Sequence, residues 1–544
     1  MNTNYTEKHL SELKKDTLVS MYLSLQEITE SLRKTSEEQQ EQMTQLSKKM
    51  DLLMEQLVLA NQRQFGRSSE KIELDGQMEL CFNEAEFIND THDVDEPDLL
   101  DACVKLKKKK KVKGKREADL QGLPIKVITH EINEKELKKV YGNKWRRLPD
   151  EVYKRLAFHP ARFEVEEHRV AVYCGTDEQP IIRADRGVDL LRNSIVTPSL
   201  QAAIYNSKYV NALPLYRLEQ EFKRHDINIS RQNMANWTIK CSERYLSLLY
   251  DKLQTHLLEH PVLQADETTV EVSKDGRKAG SKSYMWVYRT GKLYGEKPII
   301  LYDYQKTRKA EHPREFLKGY SGILVTDGYQ VYHTMAKNQE NLKVAGCWSH
   351  ARRKFAEIVK AIGKEKAKGT VAYDALRQIA TIYKLDNELS YTSFEDRSKQ
   401  RVLIVKPQVE AFFAWAKEII SEVPEKSATH SGLKYCINQE EYLKVFINFG
   451  DVPLDNNATE SVIRGFVIGK KNWQLIDTIY GAQASAIAYS IAETAKANKL
   501  KPYEYFKHLL TEIPKLESMN DLEKLDDLLP WSDKLPDICK KKAD

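Results

Sequence analysis

The sequence predicts a multidomain chain with a helical N-terminal coiled coil, a small β-rich ribbon-like module, a helix-turn-helix-like segment, and an α/β core carrying an all-α insertion. Three observations predict it. Leu18, Met21, Leu25, Ile28 and Leu32 step three and four residues apart, as do Met43, Leu46, Met50, Leu53 and Leu57, with no proline and no glycine before Gly66. Runs at 262–272, 284–289, 298–304 and 322–326 read as strands, with a helical stretch at 311–319 before the last of them. Two of those runs present an aspartate, Asp266 within the first and Asp327 just after the fourth, and Glu460 lies much further on, in a helix start.

Taken in order, residues 1–65 are expected to form a coiled-coil oligomerisation helix, its two registers joined across Ser36 and Gln39 in a polar break resembling a stutter. The same periodicity fits a long amphipathic helix folded back on its own chain. Residues 66–120 read as a linker, acidic through Asp93-Val-Asp-Glu-Pro-Asp98 and then basic through Lys105–Arg116. Such blocks are solvated linkers, and the basic one can also hold phosphates without sequence preference. Residues 121–190 form the small β-rich module. Residues 191–250 read as three helices at 198–209, 214–224 and 230–245, with Ser230 suited to a cap. Arg231, Gln232 and Asn233 open the third, where a helix-turn-helix presents side chains to base edges, although an ordinary helical spacer has the same pattern. The core spans 251–510 with a helical insertion at about 356–450, and 511–544 is a C-terminal tail.

Bulk properties exclude little. The chain has 544 residues, enough for several domains, and its 30% of charged residues leave a formal net charge of only +5. Basicity therefore argues for nucleic acid only where it is clustered. Seven cysteines lie scattered without a paired framework, which suits a reducing cytosol, and no run approaches the roughly 18 apolar residues of a membrane span. The expected setting is soluble, cytoplasmic and membrane-free.

Carboxylates at strand ends and on a neighbouring helix can converge and hold hard divalent cations through oxygen. Two such cations are the usual machinery for in-line displacement at a phosphodiester. Asp327-Gly328 on its own is also a common turn dipeptide. An acid inside an apolar strand, as at Asp266, needs a partner. Cys347 and His350 suggest half a metal site with no matching pair nearby in sequence, so a packing cysteine and a phosphate-contacting histidine are expected.

The wording around the acids sharpens this. Gln264-Ala-Asp266-Glu267-Thr268, Thr326-Asp327-Gly328-Tyr329, Gly346-Cys-Trp-Ser-His350-Ala-Arg-Arg-Lys-Phe355, Asp455-Asn-Asn-Ala-Thr-Glu460 and Gly469-Lys-Lys-Asn-Trp473 occur in one order. Together they resemble the insertion-sequence-66 family of bacterial transposases, over nearly the whole chain to Leu528-Leu-Pro-Trp531. The resemblance implies a DDE transposase with a ribonuclease-H-like core, in which Asp266, Asp327 and Glu460 are catalytic and bind Mg2+, with Mn2+ able to substitute. It also implies double-stranded DNA as partner, as terminal inverted repeats and target, with a paired, dimeric assembly, small element-encoded accessory proteins and association with the nucleoid. His350, Arg352, Arg353, Lys354, Arg464, Lys470, Lys471, Trp473, Arg231 and Asn233 are the expected DNA contacts, Trp473 by stacking on an unpaired base. The family's zinc ribbon usually carries two Cys-x-x-Cys pairs. Here only Cys174 remains, and one cysteine cannot supply four ligands, so no zinc is expected. A nuclease or resolvase of the same fold, and a non-catalytic DNA-binding regulator, are the alternative readings.

Overall fold

The computed structural model describes residues 14–65, 163–173, 182–183, 188–278, 280–516 and 519–542. Thr91–Gly187 form one compact unit and the rest of the chain another. In the smaller unit the short strands β1 (Val172–Tyr173) and β2 (Ile182–Arg183) pair antiparallel. The acidic-to-basic linker and most of the ribbon-like module, Cys174 included, lie outside the described residues.

The larger unit opens with helix α1 (Lys15–Phe65), uninterrupted as its lack of proline and glycine predicts. Leu25, Ile28, Leu32 and Met43 are exposed along it. The side chains of Leu46, Met50, Leu53 and Leu57 lie outside the described set.

Three helices follow, α2 (Pro198–Tyr205), α3 (Leu215–Arg224) and α4 (Arg231–Cys241), close to their expected bounds. Thr197 and Ser230 cap α2 and α4 by accepting the N–H of Leu200 and Asn233. Between α3 and α4 the chain turns at Asp226, whose φ is +60°. Ile204, Leu218, Phe222, Ile229 and Met234 form a small core of their own. The segment also joins the large core through Tyr205, which stacks on Phe506 at 4.9 Å, and Tyr209, which packs edge-on to Tyr489.

After α5 (Ser247–Leu258) the sheet is built from β3 (Val262–Lys274), β4 (Lys282–Thr290), β5 (Ile300–Gln305), β6 (Gly322–Thr326) and β7 (Leu342–Gly346). Its order is β5-β4-β3-β6-β7. The first three strands are antiparallel neighbours, and β3, β6 and β7 run parallel. Helices α6 (Glu311–Phe316) and α7 (Gln330–Lys337) make the crossovers.

Strand alternation divides the burial. Leu263, Leu324, Leu342 and Val344 enter one core with Leu317, Tyr320, Tyr332 and Met335. Their neighbours Val262, Ile323, Val325 and Ala345 enter a second core with Trp348, Phe355 and the helices of the insertion.

Helix α8 (Trp348–Ile362) leads into that insertion, which is all helix, as expected: α9 (Val371–Asn387), α10 (Phe394–Gln400), α11 (Lys406–Ile419), α12 (Ala428–Asn438) and two single turns up to Asn448. It is pinned from inside by Arg401, which is fully buried. Arg401 pairs with Asp386 and donates to the carbonyls of Phe446, Phe449 and Val452, each at 2.8 Å. Arg397 joins through Asp386 at 2.8 Å and the Gly450 carbonyl. Gly450 has no alternative, since a Cβ there would lie 1.9 Å from the Phe394 carbonyl oxygen.

The chain then returns as α13 (Asn457–Trp473), a short β8 (Ile476–Thr478) against the far end of β3, α14 (Ile479–Ala497) and α15 (Pro502–Glu512). α14 closes the β5 edge of the sheet. The backbone N–H groups of Ile300 and Tyr302 donate to the hydroxyls of Thr494 and Ser490. Among the described residues no helix is long and apolar enough to cross a membrane.

Candidate active site

Because β3 and β6 are parallel neighbours in register Gln264↔Val325, the chain leaving β6 at Asp327 runs beside Asp266. The carboxyl of Asp266 is held well above the usual carboxylate range. Burial is the main cause, followed by the charges of Glu267, Asp327 and Glu460. Its Oδ1 accepts the Glu267 N–H at 2.8 Å. Asp327 accepts the Tyr329 N–H at 2.9 Å, and its carbonyl takes the Tyr435 hydroxyl of α12 at 2.8 Å. Gly328 adopts φ +94°, and a Cβ there would press on that same hydroxyl at 3.0 Å. The insertion therefore reaches back to fix the turn that carries Asp327.

Glu460 is buried in the first turn of α13. Its position is set by Asn456, a fully buried residue whose contacts tie three elements together. The Asn456 amide donates to the Ala265 carbonyl of β3 at 2.8 Å, and its oxygen accepts from Gln264 at 3.0 Å and from Thr459 at 2.7 Å. Its backbone N–H points to Cys347 Sγ at 3.2 Å. Arg289 of β4 adds a bond to the Ala458 carbonyl at 3.0 Å. Local patterning marks Asn456 only as a cap. Its long-range partners, Gln264 and Cys347, are invisible until the sheet is assembled.

Glu460 Oε2 accepts from Arg353 at 3.1 Å, and Oε1 faces His350 Nδ1 at 3.6 Å. His350 is pushed down to about 4 by burial, then by the Arg353 charge, and is neutral. Cys347, His350 and Glu460 bring their ligand atoms within 4.8 Å of one another. The half-site suggested by Cys347 and His350 thus acquires a third member from a distant part of the chain.

Glu267, adjacent to Asp266, belongs to the other face of the sheet. Its row continues to Trp286, which meets Tyr332 of α7, whereas the row of Asp266 continues through Val287 to Tyr302, bonded to Val462 of α13. Glu267 pairs with Arg308, whose guanidinium lies 3.9 Å over the Tyr329 ring. Asp455 caps its own helix by accepting the Asn457 N–H at 3.2 Å.

The expected DNA contacts divide by exposure. Arg231 and Asn233 are exposed at the start of α4, and Lys354 is exposed on α8. Arg464 and Lys471 are part-buried on α13, and Arg353 is engaged with Glu460. Arg352 is only 3% exposed, so its charge is turned into the protein. Lys470 donates to the Thr269 carbonyl at 2.7 Å, tying α13 to β3. Trp473 is part-buried, with its ring edge-on to Phe466 at the margin of the core. Sequence patterning could not separate these from the exposed residues, because an amphipathic helix carries cations on its flanks as well as on its outer face.

Fold and site together define an α/β protein that brings together an acid within β3, one just after its parallel neighbour β6, and one on a helix reached through a long helical insertion. Residues 193–484 match the model of the Transposase IS66 family, residues 490–531 the IS66 C-terminal element, and residues 52–128 the Transposase C of IS166 homeodomain. The chain belongs to the IS66 transposase family. Among curated proteins it is similar to the Uncharacterized protein y4qI of Sinorhizobium fredii, 29% identical over 388 residues that cover 70% of each chain. It is also similar to the Uncharacterized protein y4jD of the same organism, 27% identical over 367 residues, 66% of this chain and 70% of the relative.

Proposed function

We propose that this protein is the DNA transposase of a bacterial insertion sequence, with a ribonuclease-H-like DDE core that cleaves and joins strands at terminal inverted repeats. One observation carries the reading: burial and three neighbouring acids all act against ionisation of Asp266. A set of oxygen donors with that much like charge fits a hard divalent cation, which would relieve it. Asp266, Asp327 and Glu460 would hold Mg2+, or Mn2+ in its place. Bound there, a pair of such ions supplies activation of the attacking oxygen and neutralisation of the leaving one.

The protein's own residues do the positioning. Asn456 and Gln264 hold the start of α13 against β3, so Glu460 is carried on rigid elements. Tyr435 fixes the Asp327 turn. Arg353 steadies Glu460, while Lys354, Lys471 and Arg464 are placed to meet strand phosphates. Arg231 and Asn233 at the start of α4 fit the base-reading end of a helix-turn-helix. The exposed Leu25, Ile28, Leu32 and Met43 of α1 fit a seam joining two protomers, so that two ends are handled together.

The test uses DNA carrying one inverted-repeat end, offered intact and pre-cut, with Mg2+. The expected outcome is nicking of the intact end and strand transfer from the pre-cut one. Both should be lost in Asp266→Asn and Glu460→Gln while DNA binding persists. Nicking without transfer would make the protein a nuclease. Full activity in Glu460→Gln would remove Glu460 from the site.

A further inference from the structure

Cys347, His350 and Glu460 come from three rigid places: the residue after β7, the first turn of α8 and the first turn of α13. Cys347 is fully buried, and its sulfur accepts two backbone N–H groups, from Asn456 at 3.2 Å and from His350. Burial and the charges of Asp455 and Glu460 nevertheless hold the thiol well above its ordinary value, so an ion would bind the sulfur by displacing its proton. His350 Nδ1 is buried, makes no hydrogen bond among the described residues and faces Glu460 Oε1 at 3.6 Å. Arg353 is bonded through the other oxygen, Oε2, so the Oε1 side of the carboxylate is turned toward the imidazole and the thiol.

All three ligand atoms lie within 4.8 Å of one another. With metal–ligand distances of about 2.0–2.3 Å, ligands around one tetrahedral ion sit within about 4 Å of each other. A small inward shift therefore closes the set. Sulfur, nitrogen and a single carboxylate oxygen make a borderline-soft donor set, suited to Zn2+ or Co2+ with one position left open, and unsuited to Mg2+.

We infer that Cys347, His350 and Glu460 form a transition-metal site of the Zn2+ class that competes with the catalytic use of Glu460. The competition, though not the site, rests on the functional reading above. One carboxylate cannot serve both centres, so occupancy by the softer ion withdraws the third acid from Asp266 and Asp327. The site would make the protein sensitive to free zinc at constant Mg2+.

Tag-free, metal-free protein is titrated with CoCl2 and followed by absorption. Wild type should show tetrahedral d–d bands together with a near-ultraviolet thiolate-to-cobalt band, both removed by Zn2+. Cys347→Ser retains an oxygen acceptor for the helix start and should lose the thiolate band. Its Zn2+ affinity, read from the Zn2+-induced rise in melting temperature, should fall at least about tenfold. If Cys347→Ser does not fold, Glu460→Gln carries the same comparison, with the thiolate band weakened. Absence of a thiolate band in wild type, or its persistence in Cys347→Ser, overturns the site. With inverted-repeat DNA and Mg2+, Zn2+ should stop cleavage by wild type at a concentration at least about tenfold below that needed for Cys347→Ser. Equal sensitivity overturns the competition. A cobalt spectrum of the expected kind in a protein that cleaves no DNA would instead sink the functional reading and leave the metal site standing.

Discussion

Two buried charge clusters among the described residues are built on opposite plans. In the insertion, Asp386 lies between Arg397 and Arg401, and the guanidinium groups left over are absorbed by the carbonyls of Phe446, Phe449, Gly450 and Val452. In that cluster the charges are of opposite sign and are bonded to one another. Beside the sheet, Asp266 is surrounded by Glu267, Asp327 and Glu460, whose charges all act against its ionisation. Arg308 is bonded to Glu267 and Arg353 to Glu460. Opposite charges hydrogen-bonded to each other hold a structure in one arrangement, whereas like charges in one place raise the cost of ionising any one of them. The first plan serves the fold, and the second is the one the proposed chemistry would use.

Breaking the two clusters should therefore have opposite signatures. The largest effect is expected from Asp266→Asn: cleavage should fall by at least about 10³-fold, the equivalent of several kcal/mol of transition-state stabilisation. The urea midpoint of the metal-free protein should stay or rise, because a repelled charge has been removed. A lowered midpoint would mean that Asp266 is structural. Next comes Arg401→Met, which leaves Asp386 with Arg397 alone and strands three carbonyls. A loss of about 3–5 kcal/mol is expected by urea unfolding, and an unchanged midpoint would deny the insertion its keystone.

Asn456→Ala lies between the clusters, since it removes the bonds to Ala265, Gln264 and Thr459. It should cost about 1–3 kcal/mol and also slow cleavage, as Glu460 loses its mooring. Loss of stability with full activity would uncouple the two. The smallest effect is a pH dependence at Asp303, a carboxyl on β5 pushed up to about 6 by burial. Its folded value lies above the unfolded one, so between about pH 4 and 6 the folded state binds more protons. Its contribution to stability is then complete below that window and lost as pH rises through it. Asp303→Asn should flatten this part of the stability profile, and an identical slope in the variant would assign it to another group.

The legible parts of this molecule are those set by local patterning. The run 322–326 is a strand with the same bounds as β6, and the helices around 198–209 and 214–224 lie within a few residues of expectation, because proline, Ser/Thr caps and apolar spacing act over one or two turns. Strand β8 escaped notice. Three residues, Ile476–Thr478, have no pattern of their own and become a strand by pairing with Val272 and Lys274. The insertion reads as helical throughout, but nothing in the pattern sets α10 and α12 apart as separate helices. At the candidate site the acids and the Cys347–His350 pair could be read from type and context. Their connections could not, since Asn456 meets Ala265 and Arg353 meets Glu460 only through tertiary folding. The inward turn of Arg352 and Lys470 and the packing of Trp473 are of the same kind, fixed by neighbours from elsewhere in the chain.

The stacking of Tyr205 on Phe506 has a consequence for synthesis. Helix α2 and the turn after it, which pack on α4 through the bond of Tyr205 to Thr238, leave the ribosome long before α14 and α15, yet their inner face is completed by those last elements, through Phe506, Tyr489 and the contact of Tyr209 with Ser485. A chain released early therefore lacks both Glu460 and the packing that completes this helical segment. If the proposed function holds, incomplete translation products should neither bind nor cleave DNA.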